Sequence, residues 1–492
     1  MSTRRPASRA LPPAMRPPVQ RASAADRAFM AMDTGPVPAQ FGVVLELDGH
    51  LSLARAREVI AGRVGSVPRL RQRLVSAPLG CGGPLWIDDA GFDIAHHVRE
   101  VICPPPGDEQ QLMDAALAEV MSPLGRAAPL WSVVLFTGLQ DDRSALLVVV
   151  HHALADGVGG LSILASLADP GGRSEDRTFP QAAPGVRSLF ADALARKCQA
   201  ASGVATSWRL LRSAMSAGGG FRPVPITPCS LMHPTGPRRG VIVVRTRRDD
   251  VRAFAHQYGA TTNDAVLVAV AAALRQLLEG RGERLDTVVI TVPVSGRNAE
   301  QAPALGNMVS PLLVPVPTAG AISERLARVA ETVRAGKASA SGPPPIAVLG
   351  WLFRPLARLG GFRWYMSHQH RFHTLVSHLR GPDQPLGFGG LRIAAAVPLG
   401  VGEAGNSTLS FEVLTYNGTL SVSAILDPDH VPDGDELGTA LDDQFRLMRQ
   451  RHQSGGPDVA PGEHRCCDGH DDDRGEHHPR VPERQAAGDR PL

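Results

Sequence analysis

The chain has 492 residues, 43% of them hydrophobic and 20% charged, with a formal net charge of +3. That is an ordinary globular composition with ample material for a core, in two to four domains or one large pseudo-repeated body. The near-neutral balance, with no basic stripe interleaved with aromatics, excludes nucleic acid as an implied partner.

Six cysteines, Cys81, Cys103, Cys198, Cys229, Cys466 and Cys467, form no CxxC pair. They read as reduced thiols of an intracellular protein, not as a disulfide scaffold. The N-terminal arginines are not followed by an apolar core segment, and no run of about 18 uncharged apolar residues occurs, so neither a secretory signal nor a membrane span is expected.

In chain order, residues 1–22 carry Arg4, Arg5, Arg9, Arg16 and Arg21 among Pro and Ala and read as a flexible arm. A strand is predicted at 41–47 (FGVVLEL), then a helix at 52–62 with Ser52 as a candidate N-cap. Short extended pieces at 86–87 and 92–94 precede a helix at 108–121. Two β-branched apolar runs, 131–136 (WSVVLF) and 144–150 (SALLVVV), suit a buried sheet. A helix leaves from about 159–167, turn-rich sequence fills 169–185, and 188–215 is helical in pattern. Residues 216–237 are again rich in Gly and Pro.

The second half repeats the alternation. Strands are predicted at 240–245, 287–292, 391–397, 408–416 and 419–425, and helices at 249–258, 262–278, 321–337 and 437–450. Asn417-Gly418 between the last two strands is a two-residue hairpin signal. The expected organisation is an arm (1–22), a first lobe (23–172), a connection (173–237), a second lobe (238–452) and a disordered polar tail (453–492). This is an α/β class with mixed sheets and two lobes, and ligands of such bodies usually lie between the lobes.

The segment richest in chemistry is Val150-His151-His152-Ala153-Leu154-Ala155-Asp156-Gly157. Side chains alternate along a strand, so adjacent histidines point to opposite sides, one toward a channel and one into packing. Histidine suits proton removal from an alcohol at neutral pH. Asp156 can set the loop by a salt bridge or a turn hydrogen bond, and Gly157 permits a backbone conformation that other residues resist. The plain alternative is a satisfied buried pair. His96-His97 and the histidines of the polar tail are the other candidates for a metal reading, and no metal site is expected. No G-x-S-x-G elbow occurs, and the one G-x-G-x-x-G, Gly400 to Gly405, runs into the strand predicted at 408–416 and opens no helix, which disfavours a covalent serine mechanism and a dinucleotide fold. Direct transfer in a ternary complex is the economical mechanism.

An ordered set of segments carries a resemblance. It comprises Ala25-Asp26-Arg27-Ala28-Phe29, Met32-Asp33-Thr34, Pro129-Leu130-Trp131, the 151–157 HHALADG motif, Thr262-Asn263-Asp264, Val292-Pro293-Val294-Ser295-Gly296-Arg297, Leu305-Gly306-Asn307, Tyr416-Asn417-Gly418 and Asp427-Pro428-Asp429. Over residues 24–450 the chain resembles the bacterial wax ester synthase / acyl-CoA:diacylglycerol acyltransferases, within the coenzyme A-dependent acyltransferase superfamily. The resemblance implies a two-lobed chloramphenicol acetyltransferase-like fold with its channel between the lobes. It implies long-chain acyl transfer from acyl-CoA, as substrate and with no permanent cofactor, to diacylglycerol, a long-chain alcohol or both. Other acceptors, and a non-catalytic lipid-associated member of the fold, are the alternatives.

By the resemblance His152 is the general base, His151 supports it, and Asp156 holds the loop through Arg297. Gly157, Pro129, Trp131 and Asn307 are supporting positions. Asn263 and Asp264 either cap the long helix or shape the acceptor side of the channel. Where the family commonly has Ser-Asn-Val-Pro-Gly-Pro, this chain has Ser377-His378-Leu379-Arg380-Gly381-Pro382, which makes Ser377 and His378 candidates for the channel wall. Residues 349–366 (LGWLFRPLARLGGFRWYM) mix aromatics with arginines. They read either as a patch for an anionic lipid interface or as a helix packed on its lobe with snorkelling arginines. The expected location is cytoplasmic, with peripheral contact to the inner membrane or lipid inclusions as an option.

Overall fold

The computed structural model describes residues 19–169, 178–202, 226–295, 309–339, 354–402 and 405–453. Short polar side chains start its helices. Ser23, Ser52, Asp108, Asp156 and Thr261 each accept a backbone N–H from the first turn that follows. At Ser23, Asp108 and Thr261 the third helical residue returns the bond, closing a capping box.

The first part of the chain forms α1 (Ala24–Met32), β1 (Gln40–Leu47), α2 (Leu53–Arg63), β2 (Gln72–Val75), β3 (Leu85–Asp88), α3 (Ile94–His97), β4 (Val98–Ile102), α4 (Glu109–Met121), β5 (Trp131–Thr137), β6 (Ala145–His151) and α5 (Gly157–Leu167). Helix α6 (Val186–Ser202) belongs to the connection. There follow β7 (Gly240–Arg247), α7 (Arg248–Gln257), α8 (Thr262–Gly280), β8 (Thr287–Ser295), β9 (Val309–Pro317), α9 (Ile322–Ser339), α10 (Gly361–Ser367), β10 (Thr374–Arg380), β11 (Gly387–Phe388), β12 (Leu391–Leu399), β13 (Leu409–Tyr416), β14 (Thr419–Leu426) and α11 (Gly434–Gln453).

Two six-stranded sheets result, with orders β11-β12-β1-β6-β5-β4 and β7-β14-β13-β10-β8-β9. Both are mixed: β4 runs parallel to β5, and β10 runs parallel to β8 and β13. Helix α8 fills the middle of the second lobe, buried from Asp264 through Ala271, as an apolar helix without a polar face must be. Asn417 and Gly418 both adopt positive φ (48° and 74°) in the β13–β14 hairpin.

Four expectations need correction. First, β12 was expected in the second lobe, yet it pairs antiparallel with β1, from Gly42↔Leu399 to Leu47↔Ile393. Without it β1 would present an edge of unsatisfied backbone groups. Val397 and Leu399 enter an apolar layer with Val44 and Leu147. Tyr416 of the second sheet pins the crossover: its hydroxyl accepts from the Leu386 N–H (2.8 Å) and donates to the Ile393 carbonyl (3.1 Å).

Second, the end of the N-terminal arm belongs to the fold. Arg21 pairs with Asp192 of α6 at 2.8 Å and donates to the Gly83 and Leu189 carbonyls. Residues 1–18 and the tail from 454 lie outside the described residues, as do 203–215 of the helix expected at 188–215. Third, 92–94 is not an extended piece. Asp93 caps α3 by accepting the Ala95 N–H at 2.9 Å, and the strand begins at Val98.

Fourth, β9 and β10 were not anticipated. Strand β9 carries Pro311, Pro315 and Pro317, which argue against a strand. It lies at the sheet edge, and the three prolines share one parity, so their missing N–H groups all fall on one side of the strand. Strand β10 is a central strand whose sequence, TLVSHLR, lacks a clean alternation.

Candidate active site

Strand β6 brings the motif to the junction of the sheets. Ala145 through His151 are all buried, held between β1 and β5. Beyond the strand the chain turns at once. The His152 N–H donates to the Ala39 carbonyl (2.9 Å), and the Leu154 N–H returns to the His151 carbonyl (2.8 Å). Asp156, itself buried, then caps α5: its carboxylate accepts the Gly159 N–H at 3.0 Å.

The two histidines face different surroundings. His151 is only 2% exposed. Its Nδ1 accepts the Ala153 N–H (2.9 Å), which assigns the proton to Nε2, and Nε2 donates to the Asp33 carboxylate at 3.2 Å. Asp33 also receives the Ala39 N–H (3.1 Å) and the Arg126 guanidinium (2.7 Å). Burial alone would raise the Asp33 carboxyl, but these hydrogen bonds hold it well below the usual carboxylate range. His151 is thereby held in one orientation by contacts on both ring nitrogens.

His152 lies between two phenyl rings. Phe29 of α1 stacks on it at 4.9 Å and Phe41 of β1 leans on it at 4.8 Å. Burial, helped by neighbouring His151 and opposed by Asp156, pushes the imidazole down to about 4. It is therefore neutral near pH 7 and able to accept a proton.

Gly157 needs a different explanation from the expected one. Its backbone is that of the first α5 residue, so no unusual conformation is involved. A Cβ there would come within 2.8 Å of Leu379 Cδ1, so the small residue allows β10 of the second sheet to approach the loop. Gly160 admits Phe41 in the same way, with a Cβ-to-ring distance of 2.8 Å. Between these elements runs a narrow apolar crevice whose walls include Phe41, Val148, Val150, Leu161, Leu164 and Leu379. In this structure a chain could enter only if side chains moved apart.

The other predicted residues are distributed as follows. Pro129 and Trp131 are buried scaffold. The Trp131 indole donates to the Leu70 carbonyl (2.7 Å), and its own carbonyl accepts from His97, which stacks on the indole at 4.5 Å. His97 is thus occupied in packing. Among the described residues no group of three or more His, Cys, Asp or Glu could hold a metal ion. Asp264 closes the capping box of α8, accepting the Thr261 N–H at 2.9 Å, with Asn263 half-buried beside it. Ser377 and His378 point to opposite faces of β10. Ser377 shares the face of Leu379, toward the first lobe. His378 turns into the second lobe, 3.2 Å from the Thr415 hydroxyl, and is pushed to about 4 by burial and by Lys337. Arg297 and Asn307 lie outside the described residues.

Sequence reading did not single out Phe29, Asp33, Phe41, Arg126 or Leu379 as site residues. Phe29 and Asp33 sit within the two opening segments of the resemblance and Leu379 within the divergent Ser377–Pro382 segment, which was the available signal; Phe41 and Arg126 are brought to the motif only by the fold.

Comparison with known proteins agrees with this geometry. Residues 23–266 match the wax ester synthase/diacylglycerol acyltransferase catalytic domain, and residues 305–449 match the C-terminal domain of the same proteins. A probable diacylglycerol O-acyltransferase of Mycobacterium tuberculosis H37Rv is 27% identical over 431 residues, covering 81% of this chain and 91% of its own. Another candidate diacylglycerol O-acyltransferase of that strain is 29% identical over 450 residues, covering 84% and 87%. The wax ester synthase/diacylglycerol acyltransferase of Marinobacter aquaeolei VT8 superposes with a TM-score of 0.62 at 20% identity, over 88% of this chain and all of that one. A starter condensation domain of rhizomide synthetase, solved with C8-CoA, follows with a TM-score of 0.58 at 17% identity, over 88% and 94%. The chain belongs to the wax ester synthase/diacylglycerol acyltransferase family and has its two-lobed acyltransferase fold.

Proposed function

We propose that this acyltransferase moves a long-chain fatty acyl group from acyl-CoA to diacylglycerol, to a long-chain alcohol, or to both, with His152 as general base. The observation that carries this reading is the His152 imidazole packed against Phe29 and Phe41, on the turn that joins β6 to α5, two elements that wall the apolar crevice. The acceptor hydroxyl gives its proton to His152 as its oxygen attacks the thioester carbonyl. The tetrahedral intermediate collapses, the C–S bond breaks, and the thiolate takes the proton back from the imidazolium. The products are an ester and free coenzyme A. Asp33 and Arg126, through His151, keep the loop in register, and Asp156 fixes the start of α5. Arg297 is proposed as a second support of Asp156, and Asn307 as a support of the loop, both on the resemblance alone.

Water-insoluble acceptors call for a lipid surface. No helix among the described residues is long and apolar enough to cross a membrane. Leu356, Leu359, Trp364 and Tyr365 are exposed and stand among Arg354, Arg358 and Arg363. This pattern supports peripheral contact with a membrane or lipid inclusion. A second reading, another hydroxylated lipid as acceptor, is favoured by the Ser377–Pro382 segment, whose Leu379 forms part of the crevice.

The test is free coenzyme A release from palmitoyl-CoA with dioleoylglycerol or hexadecanol, run beside His152→Ala. Acceptor-dependent release that disappears in the variant is expected, and the better acceptor names the product. A folded wild-type protein that releases nothing with either acceptor would sink the substrate assignment.

A further inference from the structure

A second hollow, of about 440 Å³, shares no wall residue with the crevice. Thr34, Arg358, Arg363, Trp364, Ser367 and His368 line it. Several arginines of the chain have acidic partners across the fold: Arg63 with Asp169, Arg245 with Glu46, Arg281 with Asp433. Arg358 and Arg363 have none among the described residues. The surrounding sequence supplies none either, since no Asp or Glu occurs between Glu331 and Asp383. Two exposed guanidinium groups border one hollow with no carboxylate between them, so their donors are open to an anion from solution.

We propose that this hollow is a binding site for a phosphate ester. Each guanidinium offers a planar fork that matches two phosphate oxygens. Thr34 and Ser367 add hydroxyl donors. Trp364, 67% exposed and stacked on His368 at 5.0 Å, adds a flat apolar face for whatever the phosphate carries. Thr34 directly follows Asp33, the carboxylate that holds His151, so an occupant lies one residue from the anchor of the catalytic loop. Two sources share this chemistry. One is the phosphorylated adenosine end of the acyl-CoA donor, which rests on the function proposed above. The other is the headgroup of an anionic phospholipid, to which the exposed Leu356 and Leu359 beside the hollow would add apolar contact.

The test reads binding without turnover, so it stands apart from the fate of His152. Full-length protein is titrated calorimetrically with adenosine 3′,5′-bisphosphate. In parallel it is sedimented with phosphatidylcholine vesicles, with and without phosphatidylglycerol. The variants are Arg358→Ala/Arg363→Ala and, to keep the charge while removing the forks, Arg358→Lys/Arg363→Lys. The proposal expects wild-type binding at least tenfold tighter than that of the double alanine variant, with the lysine variant between them. Loss confined to the nucleotide arm identifies the donor as the source, and KM for palmitoyl-CoA should then rise with kcat little changed. Loss confined to phosphatidylglycerol vesicles identifies the lipid, and loss in both arms gives the site both roles. Wild-type protein that binds neither probe, or a double alanine variant that binds both as well as wild type, overturns the proposal.

Discussion

Strands β6 and β10 end near each other, one from each sheet, and each delivers a histidine that burial pushes to about 4. Their surroundings differ. His152 faces the lobe junction between Phe29 and Phe41. His378 faces its own lobe, against Thr415 and near Lys337. Its neighbour Leu379 is the residue that reaches the junction and meets Gly157. A depressed imidazole is thus not in itself the mark of a catalytic base. On β10 the pleat sends His378 and Leu379 to opposite faces, and only the face of Leu379 meets the other lobe.

The largest effect should separate the two histidines directly. His152→Ala should lower acceptor-dependent coenzyme A release by roughly 10²–10⁴-fold, the range of a general base, with the far-UV spectrum unchanged. His378→Ala should stay within about twofold of wild type, the size of an indirect packing effect. Equal losses in both would break the comparison. The same contrast has a pH form: wild-type kcat/KM should be flat near neutrality and fall only as His152 protonates toward pH 4.

Next in size is the anchor of His151. Asp33→Asn removes the charge that accepts the His151 proton and pairs with Arg126. We expect kcat to fall roughly ten- to hundredfold through lost positioning, with KM for both substrates nearly constant. A rise in KM alone, with kcat intact, would show that Asp33 serves binding and not the alignment of the loop.

The contact between the strand ends can be tested by crowding it. Gly157→Ala places a methyl group 2.8 Å from Leu379 and should cost about 1–3 kcal/mol in urea denaturation, typical of overpacking. Leu379→Ala added to it should recover part of the loss, and the double-mutant coupling measures the contact. Additive losses would mean that the loop and β10 do not touch in solution.

The smallest effect is on stability. The folded-state value of His378 lies below that of the unfolded chain, so between about pH 6.5 and pH 4 the unfolded state binds more protons. The stabilisation linked to neutral His378 is complete above that window and declines as pH falls through it. His378→Gln should flatten the slope of unfolding free energy over the window. An unchanged slope would mean that His378 titrates normally.

Much of this arrangement was legible beforehand. Apolar β-branched runs marked β5 and β6, and Asn417-Gly418 marked the last hairpin, because periodicity and turn chemistry are local properties. The motif on β6 and the segments of the resemblance pointed to acyl transfer. Strand β9 was hidden by prolines that only an edge strand tolerates, and β10 by a pattern that serves two lobes at once: Val376 packs in the second-lobe core and Leu379 against the first.

What the amino-acid sequence determined by itself is therefore the chemistry: which histidines end a buried strand, that Ser52 caps the helix after β1, and which family the ordered motifs belong to. Tertiary structure alone decided the partners. Asp33 meets His151 across 118 positions of sequence, Phe29 and Phe41 close on His152, and β12 leaves the second half of the chain to pair with β1. The physical reason is that hydrogen-bond and packing partners are chosen by unsatisfied edges and apolar faces, and these exist only once the two sheets have formed.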